Sequence, residues 1–248
     1  MPRPCGSAAV KLGGSLVTVK DRPYTVRGEA LAGASRILAA YWRSGGRRLI
    51  VVHGGGSFGH YEVDTLRGEL GARDLPAAAA PRIQGAMLRL AARVVEALRG
   101  AGLPASLHTT HTICECRECR YTPLLRDLGE GLVPVAYGDA VPCRGGLVIV
   151  SGDQLVVEAG LEAGVDCIVF TIDAPGVLDG EGRVIGELGP GDPVPRLGGA
   201  AHDVTGGLEA KVEWARRAAA GGARVYITGL GGLLKVLEGG RAGTRIVV

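Results

Sequence analysis

The sequence has no apolar run that approaches the ~20 residues a membrane-spanning helix needs, so we expect no membrane partner. Residues 1–5 lead directly into an apolar strand and contain no signal-peptide core, so we expect a cytoplasmic protein. The formal net charge of +3 is too small to indicate a nucleic-acid partner, and we expect none. These absences leave a globular protein with a small-molecule partner as the favoured class.

Two common nucleotide-binding signatures are missing or incomplete. No G-x-x-x-x-G-K-[ST] occurs anywhere, which excludes a P-loop. Gly54, Gly56 and Gly59 satisfy G-x-G-x-x-G after an apolar strand, but a dinucleotide fold also places an acidic residue after a second strand about 20 residues further on. That region, near Asp74, is polar and has no strand pattern. The sequence therefore does not favour a dinucleotide site.

The pattern of apolar residues predicts strands that alternate with helices. At 248 residues the chain can bury a core as one domain or as two closely joined lobes. Several strands are apolar on both faces, which is typical of a mainly parallel sheet with helices on each side. The predicted strands cover residues 7–12, 47–52, 105–108, 133–137, 146–150, 165–170, 224–228 and 244–248, and the predicted helices cover residues 27–44, 82–99, 154–163 and 208–220. Residues 61–81 are polar with only a weak pattern, residues 176–199 are expected to be a mobile loop, and the last two strands flank the glycines of residues 229–232.

The most informative stretch is V-V-H-G-G-G-S-F-G-H at residues 51–60. Three glycines directly follow a strand, and their backbone N–H groups can surround an anion with no Cβ in the way. A helix that begins near Ser57 would add its own free N–H groups and its dipole. His60 could donate a hydrogen bond to the bound anion. The stretch therefore predicts a phosphate-binding loop.

Three lysines and one aspartate extend this interpretation. Lys11 interrupts an apolar strand, Lys20 follows nine residues later, and Lys211 lies in the helix that follows D-V-T-G-G at residues 203–207. Ligands of parallel sheets bind off the carboxyl ends of the strands, and phosphoryl transfer needs mainly positioning and charge neutralisation. Asp153 could cap a helix and also orient the lysines by charge-assisted hydrogen bonds.

Four motifs, taken in this order, resemble the amino acid kinase superfamily. They are K-L-G-G-S at residues 11–15, H-G-G-G at 53–56, S-G-D at 151–153, and D-V-T-G-G at 203–207 with Lys211. The match runs over nearly the whole chain. Within the superfamily, S-F-G-H at residues 57–60 resembles the isopentenyl phosphate kinases, whereas acetylglutamate and uridylate kinases have the glycine loop without this histidine.

The resemblance implies a three-layer αβα sandwich around a mainly parallel sheet. It implies an acceptor-binding lobe at residues 1–145 and a nucleotide-binding lobe at residues 146–248, within one continuous domain. The implied activity is transfer of the γ-phosphate of ATP to isopentenyl phosphate, which gives isopentenyl diphosphate for isoprenoid synthesis. Mg²⁺ would be carried mainly by the ATP phosphates, with no metal site on the protein, and the chain would form a homodimer.

The resemblance also implies a role for particular residues. The implied catalytic residues are Lys11, Lys20, His60 and Asp153. The acceptor phosphate would be bound by Gly55, His60 and Gly152. ATP would be bound by Lys11, Gly13, Gly14, Ser15, Gly56, Asp173, Gly207 and Lys211. The family's aspartate-rich turn reads T-I-D-A-P-G at residues 171–176 here, which departs from the usual motif around Asp173.

A cluster of potential metal ligands begins at the last residue of the predicted strand 105–108 and continues after it: His108, His111, Cys114, Cys116 and Cys119. C-x-C-x-x-C is not a common zinc spacing, so no metal site is expected. The six cysteines of the chain would normally be reduced in a cytoplasm, so free thiols are expected, and a disulfide is the alternative if the organism is a hyperthermophile. His53, directly before the glycines, is expected to be structural and to bond the backbone.

Two rival functions stay open at this point. One is a kinase of the same fold that acts on another small phosphate or phosphonate, such as the fosfomycin resistance kinase, which resembles this group at the histidine. The other is a non-catalytic nucleotide- or anion-binding member of the fold. The presence of Lys11, Lys20, Asp153 and Lys211 together argues against the second rival.

Overall fold

The computed structural model describes residues 3–46, 48–195 and 207–248. The strands in these ranges are β1 (Ser7–Leu12), β2 (Arg48–His53), β3 (Ala105–Leu107), β4 (Cys114–Glu115), β5 (Glu118–Cys119), β6 (Val133–Tyr137), β7 (Asp139–Cys143), β8 (Gly146–Val150), β9 (Cys167–Thr171), β10 (Glu187–Leu188), β11 (Arg224–Thr228) and β12 (Thr244–Ile246). The helices are α1 (Gly14–Val17), α2 (Gly28–Arg43), α3 (Gly56–Leu70), α4 (Ala80–Gly100), α5 (Thr110–Ile113), α6 (Thr122–Gly129), α7 (Gly152–Glu162), α8 (Gly207–Ala220) and α9 (Leu230–Leu237), with a 3₁₀ turn at Ala77–Ala79. None of these helices combines the length and the apolar character that a membrane span requires.

Eight strands form the central sheet in the order β10-β12-β11-β9-β1-β2-β6-β3. Neighbours are parallel throughout except at β11 and β12, which run antiparallel. Parallel neighbours need crossover connections, which the helices between the strands provide. The predicted mainly parallel α/β architecture is therefore confirmed.

The side chains of the central strands alternate between two apolar cores. Val10 and Leu12 of β1 belong to one core, and Ala9 between them belongs to the other. Residues of α2, α4 and α9 complete the first core, and residues of α6, α7 and α8 complete the second. Burial of each large aliphatic side chain contributes roughly 1.5–3 kcal/mol, so both layers of helices are firmly held to the sheet. The result is the predicted three-layer αβα sandwich.

The carboxyl ends of β9, β1 and β2 lie side by side at one edge of the sheet. The parallel register aligns Lys11 with Val52 on one side and with Phe170 on the other. The turns that follow the three strands therefore meet at one place. This is the edge at which the sequence predicts the ligand site.

One predicted strand lies outside the central sheet. The apolar run of β8 pairs with β7 in an antiparallel hairpin that the sequence pattern does not predict, and an isolated bridge joins its first residue, Gly146, to Pro76. Arg144 and Gly145 form the two-residue connection with φ of 49° and 86°, which is the backbone that tight hairpins favour. An apolar run indicates a strand but not its partner, so the hairpin could not be read from β8 alone.

Regular structure occurs in the weakly patterned residues 61–81, in the predicted loop at residues 176–199 and around residues 229–232, for which the pattern made no prediction. Helix α3 continues to Leu70 and ends at Gly71, whose φ of +57° is the left-handed conformation of a helix C-cap. Its apolar face is narrow, so the helical pattern is weak in the sequence. Helix α9 begins within the glycine-rich residues 229–232, and β10 lies within residues 176–199, of which 196–199 are outside the described residues.

The expectation of free thiols is wrong, because all six cysteines form disulfides: Cys5–Cys167, Cys114–Cys119 and Cys116–Cys143. Cys114 and Cys119 are directly opposed in the β4–β5 hairpin, so their side chains lie beside each other. Cys5 precedes β1, and Cys167 lies in the neighbouring β9. The structure therefore agrees with the alternative, in which these cysteines form disulfides.

We expect thiol titration of the denatured, unreduced protein to detect no free thiol and to detect all six after reduction.

We also expect the double variant Cys5→Ser/Cys167→Ser to lose more stability than the double variant Cys114→Ser/Cys119→Ser. The first disulfide joins residues 162 apart and the second joins residues five apart, which a chain-entropy model values at about 5 and about 2 kcal/mol. Urea unfolding measures both losses, and equal losses would contradict this ranking.

Candidate active site

A buried ion-pair triad joins three distant parts of the chain at the edge of the sheet. Lys11 Nζ lies 2.7 Å from Asp153 Oδ1, and Lys211 Nζ lies 2.9 Å from the same oxygen and 3.1 Å from Oδ2. The exposed fractions of the three side chains are only 9%, 6% and 12%. Two ammonium groups share one carboxylate, so the buried triad carries one uncompensated positive charge.

The fold places each member of the triad for a local reason. Lys11 is the fifth residue of β1 and is fixed between β2 and β9 by the parallel register. Asp153 lies in the first turn of α7, where the helix dipole favours a negative charge and where the Ser151 hydroxyl caps the helix by accepting from the Gln154 N–H. Lys211 lies in α8, with its ammonium 5.7 Å from the centre of the Phe170 ring.

Burial and mutual attraction act in opposite directions on Lys11 and Asp153, with different outcomes. Burial lowers the pKa of Lys11 to about 8, although the attraction of Asp153 acts in the opposite direction. Burial acts to raise the pKa of Asp153, but the combined attraction and hydrogen bonds of Lys11 and Lys211 outweigh it and lower that pKa to about 2. One carboxylate cannot fully compensate two ammonium groups, so an added anion would stabilise the charged form of Lys11.

Two glycine turns approach each other next to the triad. A Cβ on Gly14 would lie 2.4 Å from the backbone nitrogen of Gly56, and Gly56 itself has a φ of +47°. The Thr18 hydroxyl connects the turns, because it donates to Gly14 O at 2.8 Å and accepts from the Ser57 N–H at 2.9 Å. Only glycine permits this approach of the two backbones. Thr18 had no signal in the sequence.

His60 lies one turn into α3, the helix that begins at the glycine turn. A cavity of about 900 Å³ opens between the glycine turns and the triad, and partly buried His60 is part of its wall. The apolar part of the wall includes Val63, Ile83, Met87 and Ile149. The cavity thus combines positive charge and backbone N–H groups with an apolar surface, which suits an anionic ligand that has a hydrocarbon part.

All the residues that the sequence assigned to the site line this cavity. They are Lys11, Gly13, Gly14, Ser15, Lys20, Gly55, Gly56, His60, Gly152, Asp153, Asp173, Gly207 and Lys211. Residues 203–206 of the D-V-T-G-G motif lie outside the described residues. The individual roles of these residues remain predictions.

Asp173 contributes a side chain to the cavity wall, whereas Gly152 contributes only backbone. Asp173 is half-exposed at the cavity wall and pairs with Arg27, whose Nη1 lies 2.8 Å from Oδ2. Gly152 begins α7, and a Cβ there would lie 3.0 Å from the His53 carbonyl oxygen. The absence of a side chain lets the start of α7 approach β2.

His53 is fully buried beneath the glycine turn. Its Nδ1 lies 3.1 Å from Gly54 O, so Nδ1 carries the hydrogen and donates to the backbone, as the sequence reading expected. The ring stacks on Tyr137 with centroids 5.3 Å apart. Burial lowers the pKa of His53 to about 4, so the ring is neutral and supports the turn.

The potential metal ligands between residues 108 and 119 have other partners. His108 Nε2 lies 2.9 Å from Asp127 Oδ2, and His111 Nδ1 lies 3.2 Å from Asp139 Oδ2. In the part of the chain that the structure describes, no group of three or more His, Cys, Asp or Glu residues could hold a metal ion. Asp139 also lines the cavity and was not singled out in the sequence, although it lies two residues after a predicted strand.

Comparison with known proteins places these observations in a family. The model of the amino acid kinase family matches residues 8–229. The chain is 40% identical to an isopentenyl phosphate kinase of Haloferax volcanii over 96% of this chain and 97% of the relative, and 29% identical to one of Methanocaldococcus jannaschii over 84% and 86%. A crystal structure described as isopentenyl phosphate kinase superposes with a TM-score of 0.79 at 24% identity and covers 97% of this chain and 100% of that chain, which supports the fold.

We expect Asp153→Asn to destabilise the protein by about 3–5 kcal/mol at pH 6, because it leaves two buried ammonium groups without their carboxylate. The loss should shrink by about 2 kcal/mol as the pH falls from 5 to 2. The reason is that Asp153 has a pKa of about 2 in the folded chain, below its ordinary value, so its contribution is present above pH 4 and disappears as the carboxylate is protonated. Urea unfolding of both proteins across this range measures the difference, and a difference that does not change with pH would contradict the assignment.

Proposed function

Because the chain belongs to the amino acid kinase family, and within it to the isopentenyl phosphate kinases, we propose that it transfers the γ-phosphoryl group of ATP to isopentenyl phosphate. A phosphate oxygen of the acceptor attacks the γ-phosphorus, the bond from the γ-phosphorus to the bridging oxygen breaks, and ADP leaves with that oxygen. The products are isopentenyl diphosphate and ADP. The relatives that carry this name support the proposal through their similarity along nearly the whole chain.

The observation that carries the proposal is the position of His60. It lies on α3 and lines the same cavity as the glycine turns and the three lysines. An acceptor that is itself a phosphate is repelled by ATP, so it needs a donor of its own as well as positive charge between the two anions. The apolar part of the same cavity suits the isopentenyl chain.

In this proposal the triad binds ATP by charge. Lys11 and Lys211 neutralise the ATP phosphates, and the adjacent turns donate through Gly14, Ser15 and Gly56. The N–H of Gly13 donates to Thr171 Oγ1 at 3.3 Å, so Gly13 would contact ATP by close approach and not as a donor. Asp153 is the positioning residue that keeps both ammonium groups at the end of β1. The uncompensated positive charge of the triad favours ATP because its burial leaves it weakly screened by water.

Lys20 has a separate role in the proposal. It is exposed on the loop after α1 and lines the cavity, so it can follow the phosphoryl group during transfer. The acceptor phosphate is held by His60 and by the backbone of Gly55 and Gly152. Asp173 and Gly207 line the same cavity and would contact the nucleotide. Catalysis then consists of positioning and charge neutralisation, with no covalent intermediate on the protein.

The site residues fit Mg²⁺ only as an ion that ATP carries. Both carboxylate oxygens of Asp153 are engaged by the lysines, and Asp173 pairs with Arg27. Among the described residues, no group of three or more His, Cys, Asp or Glu could hold a metal ion on the protein. We propose that Mg²⁺ is bound mainly by the ATP phosphates.

We extend the proposal to the organisation of the chain. Residues 1–145 form an acceptor-binding lobe and residues 146–248 a nucleotide-binding lobe, in keeping with β9–β12 on one side of β1 and β2, β6 and β3 on the other. We also propose a homodimer, as the family resemblance implies, and a cytoplasmic location. The three disulfides fit that location only in an organism whose cytoplasm keeps disulfides, such as a hyperthermophile. Light scattering of the purified protein tests the homodimer, and a mass of one chain would contradict it.

We expect ADP release with isopentenyl phosphate in a coupled assay that also includes dimethylallyl phosphate, fosfomycin, UMP and acetylglutamate. Turnover of UMP or acetylglutamate alone would contradict the proposal. Turnover of fosfomycin alone would support the rival kinase of the same fold. Absence of turnover with every acceptor would support a non-catalytic member.

We expect His60→Ala to lower kcat with isopentenyl phosphate by about 10²–10³, the usual cost of one lost hydrogen-bond donor to the reacting group. His60→Gln retains a donor and should lose less. Steady-state kinetics of the two variants measures the contrast. Unchanged kinetics in His60→Ala would show that the acceptor binds elsewhere.

We expect the affinity for ATP to weaken as the pH rises through about 8, by up to tenfold per pH unit. Burial lowers the pKa of Lys11 to about 8, so above that pH the group is largely neutral in the free enzyme and must regain a proton to pair with a phosphate. Calorimetric titration between pH 7 and 9.5 measures this. Lys11→Arg stays charged throughout the range, so an equal slope in that variant would rule out Lys11 as the titrating group.

A further inference from the structure

The loop that carries Lys20 is a small hairpin on the surface. The Val19 N–H donates to Thr25 O at 2.9 Å, and the Arg22 N–H donates to Val19 O at 3.2 Å, so Lys20 lies at the tip. An exposed lysine has many rotamers, and an exposed loop has few contacts to hold it. Accurate placement of this ammonium therefore requires an anchor elsewhere in the loop.

Tyr24 provides contacts from the loop to α3. Its backbone N–H donates to Ser57 O at 3.1 Å, and its ring packs edge-on against Phe58 and Tyr61 with centroids 5.7 and 5.2 Å apart. Its φ of 51° is a left-handed conformation, which is uncommon for a non-glycine residue and persists only when the surroundings fix it. Its hydroxyl donates to Glu62 Oε1.

Glu62 is a buried acid with 4% of its surface exposed. Its second oxygen lies 2.7 Å from Arg82 Nε, as an ion pair without the alignment of a good hydrogen bond, and Arg82 also pairs with Glu69 at 2.6 Å. A buried carboxylate is costly unless it is paired, and here the Tyr24 hydroxyl and the Arg82 guanidinium pair with it. Partial desolvation, reinforced by the Glu62 carboxylate, raises the pKa of Tyr24 to about 12, so the phenol keeps its proton well above the neutral range.

Helix α3 also carries His60, directly before Tyr61 and Glu62 in the sequence. The same helix therefore carries both His60, which is proposed to bind the acceptor phosphate, and the residues that anchor the Lys20 loop. The guanidinium of Arg89 lies 5.3 Å from the centre of the Tyr24 ring and adds a further contact from α4.

We propose that Tyr24, Glu62 and Arg82 are positioning residues of the reaction, and that the chain phenol–carboxylate–guanidinium fixes the Lys20 loop relative to His60. The expected effect on turnover rests on the proposed function, because it assumes that Lys20 acts in phosphoryl transfer. Neither Glu62 nor Arg82 lines the cavity. They act through Tyr24 and the loop and do not touch the substrate.

The test is a double-mutant cycle of Tyr24→Phe with Lys20→Ala. Tyr24→Phe removes only the hydroxyl and should lower kcat about tenfold, the scale expected when a reacting group is slightly misplaced, with each KM changed less than about twofold. In the Lys20→Ala background the same change should have no further effect, because the group that Tyr24 positions is gone. Independent, multiplicative losses would overturn the proposal, and so would a Tyr24→Phe enzyme equal to wild type.

Tyr121→Phe is the matched control. It also removes a phenol that donates to a glutamate, since the Tyr121 hydroxyl lies 2.6 Å from Glu158 Oε2, and Tyr121 does not line the cavity. We expect its kcat to stay near that of wild type. A loss as large as that of Tyr24→Phe would mean that any such hydrogen bond matters equally, which would overturn the positioning role.

A second readout separates this proposal from the proposed function. Amide hydrogen exchange of residues 18–27 should be faster in Tyr24→Phe than in wild type and unchanged in Tyr121→Phe, whatever the substrate is. Unchanged exchange in Tyr24→Phe would overturn the anchoring. Faster exchange in a protein that does not phosphorylate isopentenyl phosphate would leave the anchor standing and contradict the proposed function instead.

Discussion

One carboxylate that is shared by two buried ammonium groups constrains much of this structure. Removing three charges from water is expensive, and the expense is offset only if Lys11, Asp153 and Lys211 meet within hydrogen-bonding distance. They come from β1, α7 and α8, so the order of strands and the packing of two helices must be accurate for the triad to form. The remaining positive charge is what a bound polyphosphate would compensate in the proposed reaction.

The sheet meets this constraint by placing β1 between β2 and β9. Their parallel direction brings the turns after Leu12, His53 and Thr171 to one edge, and glycine at positions 14 and 56 lets two of those turns approach closely. The Thr171 hydroxyl donates to Lys11 O at 2.9 Å, which ties the ends of β1 and β9 together. Backbone donors and buried charge therefore lie beside one another because of strand topology.

The sequence could predict what depends on local pattern. Lys11 in an apolar strand, the glycines after strands and the alternation of strands with helices are all local, and each was placed correctly. The Tyr24–Glu62 contact, the Thr18 link and the partner of β8 depend on residues that meet only in the folded chain, so no local pattern reports them. The expectation of free thiols was wrong because it rested on the reducing character of a cytoplasm. The fold instead brings Cys5, just before β1, next to Cys167 in the neighbouring β9.

The three lysines differ in how the protein holds them, and this difference matches the roles proposed for them. Lys11 and Lys211 are buried and fixed by Asp153, so their positions cannot adapt, which suits groups that bind the same phosphates before and after transfer. Lys20 is exposed on a hairpin, so it can follow the moving phosphoryl group, but it also loses more entropy when it is ordered. The protein thus places positive charge in two ways. Lys11 and Lys211 are held rigidly by a buried carboxylate, whereas Lys20 is a mobile side chain on an anchored loop. The anchor at Tyr24 restricts the loop and leaves the side chain of Lys20 free to move, which a direct ion pair to Lys20 would prevent.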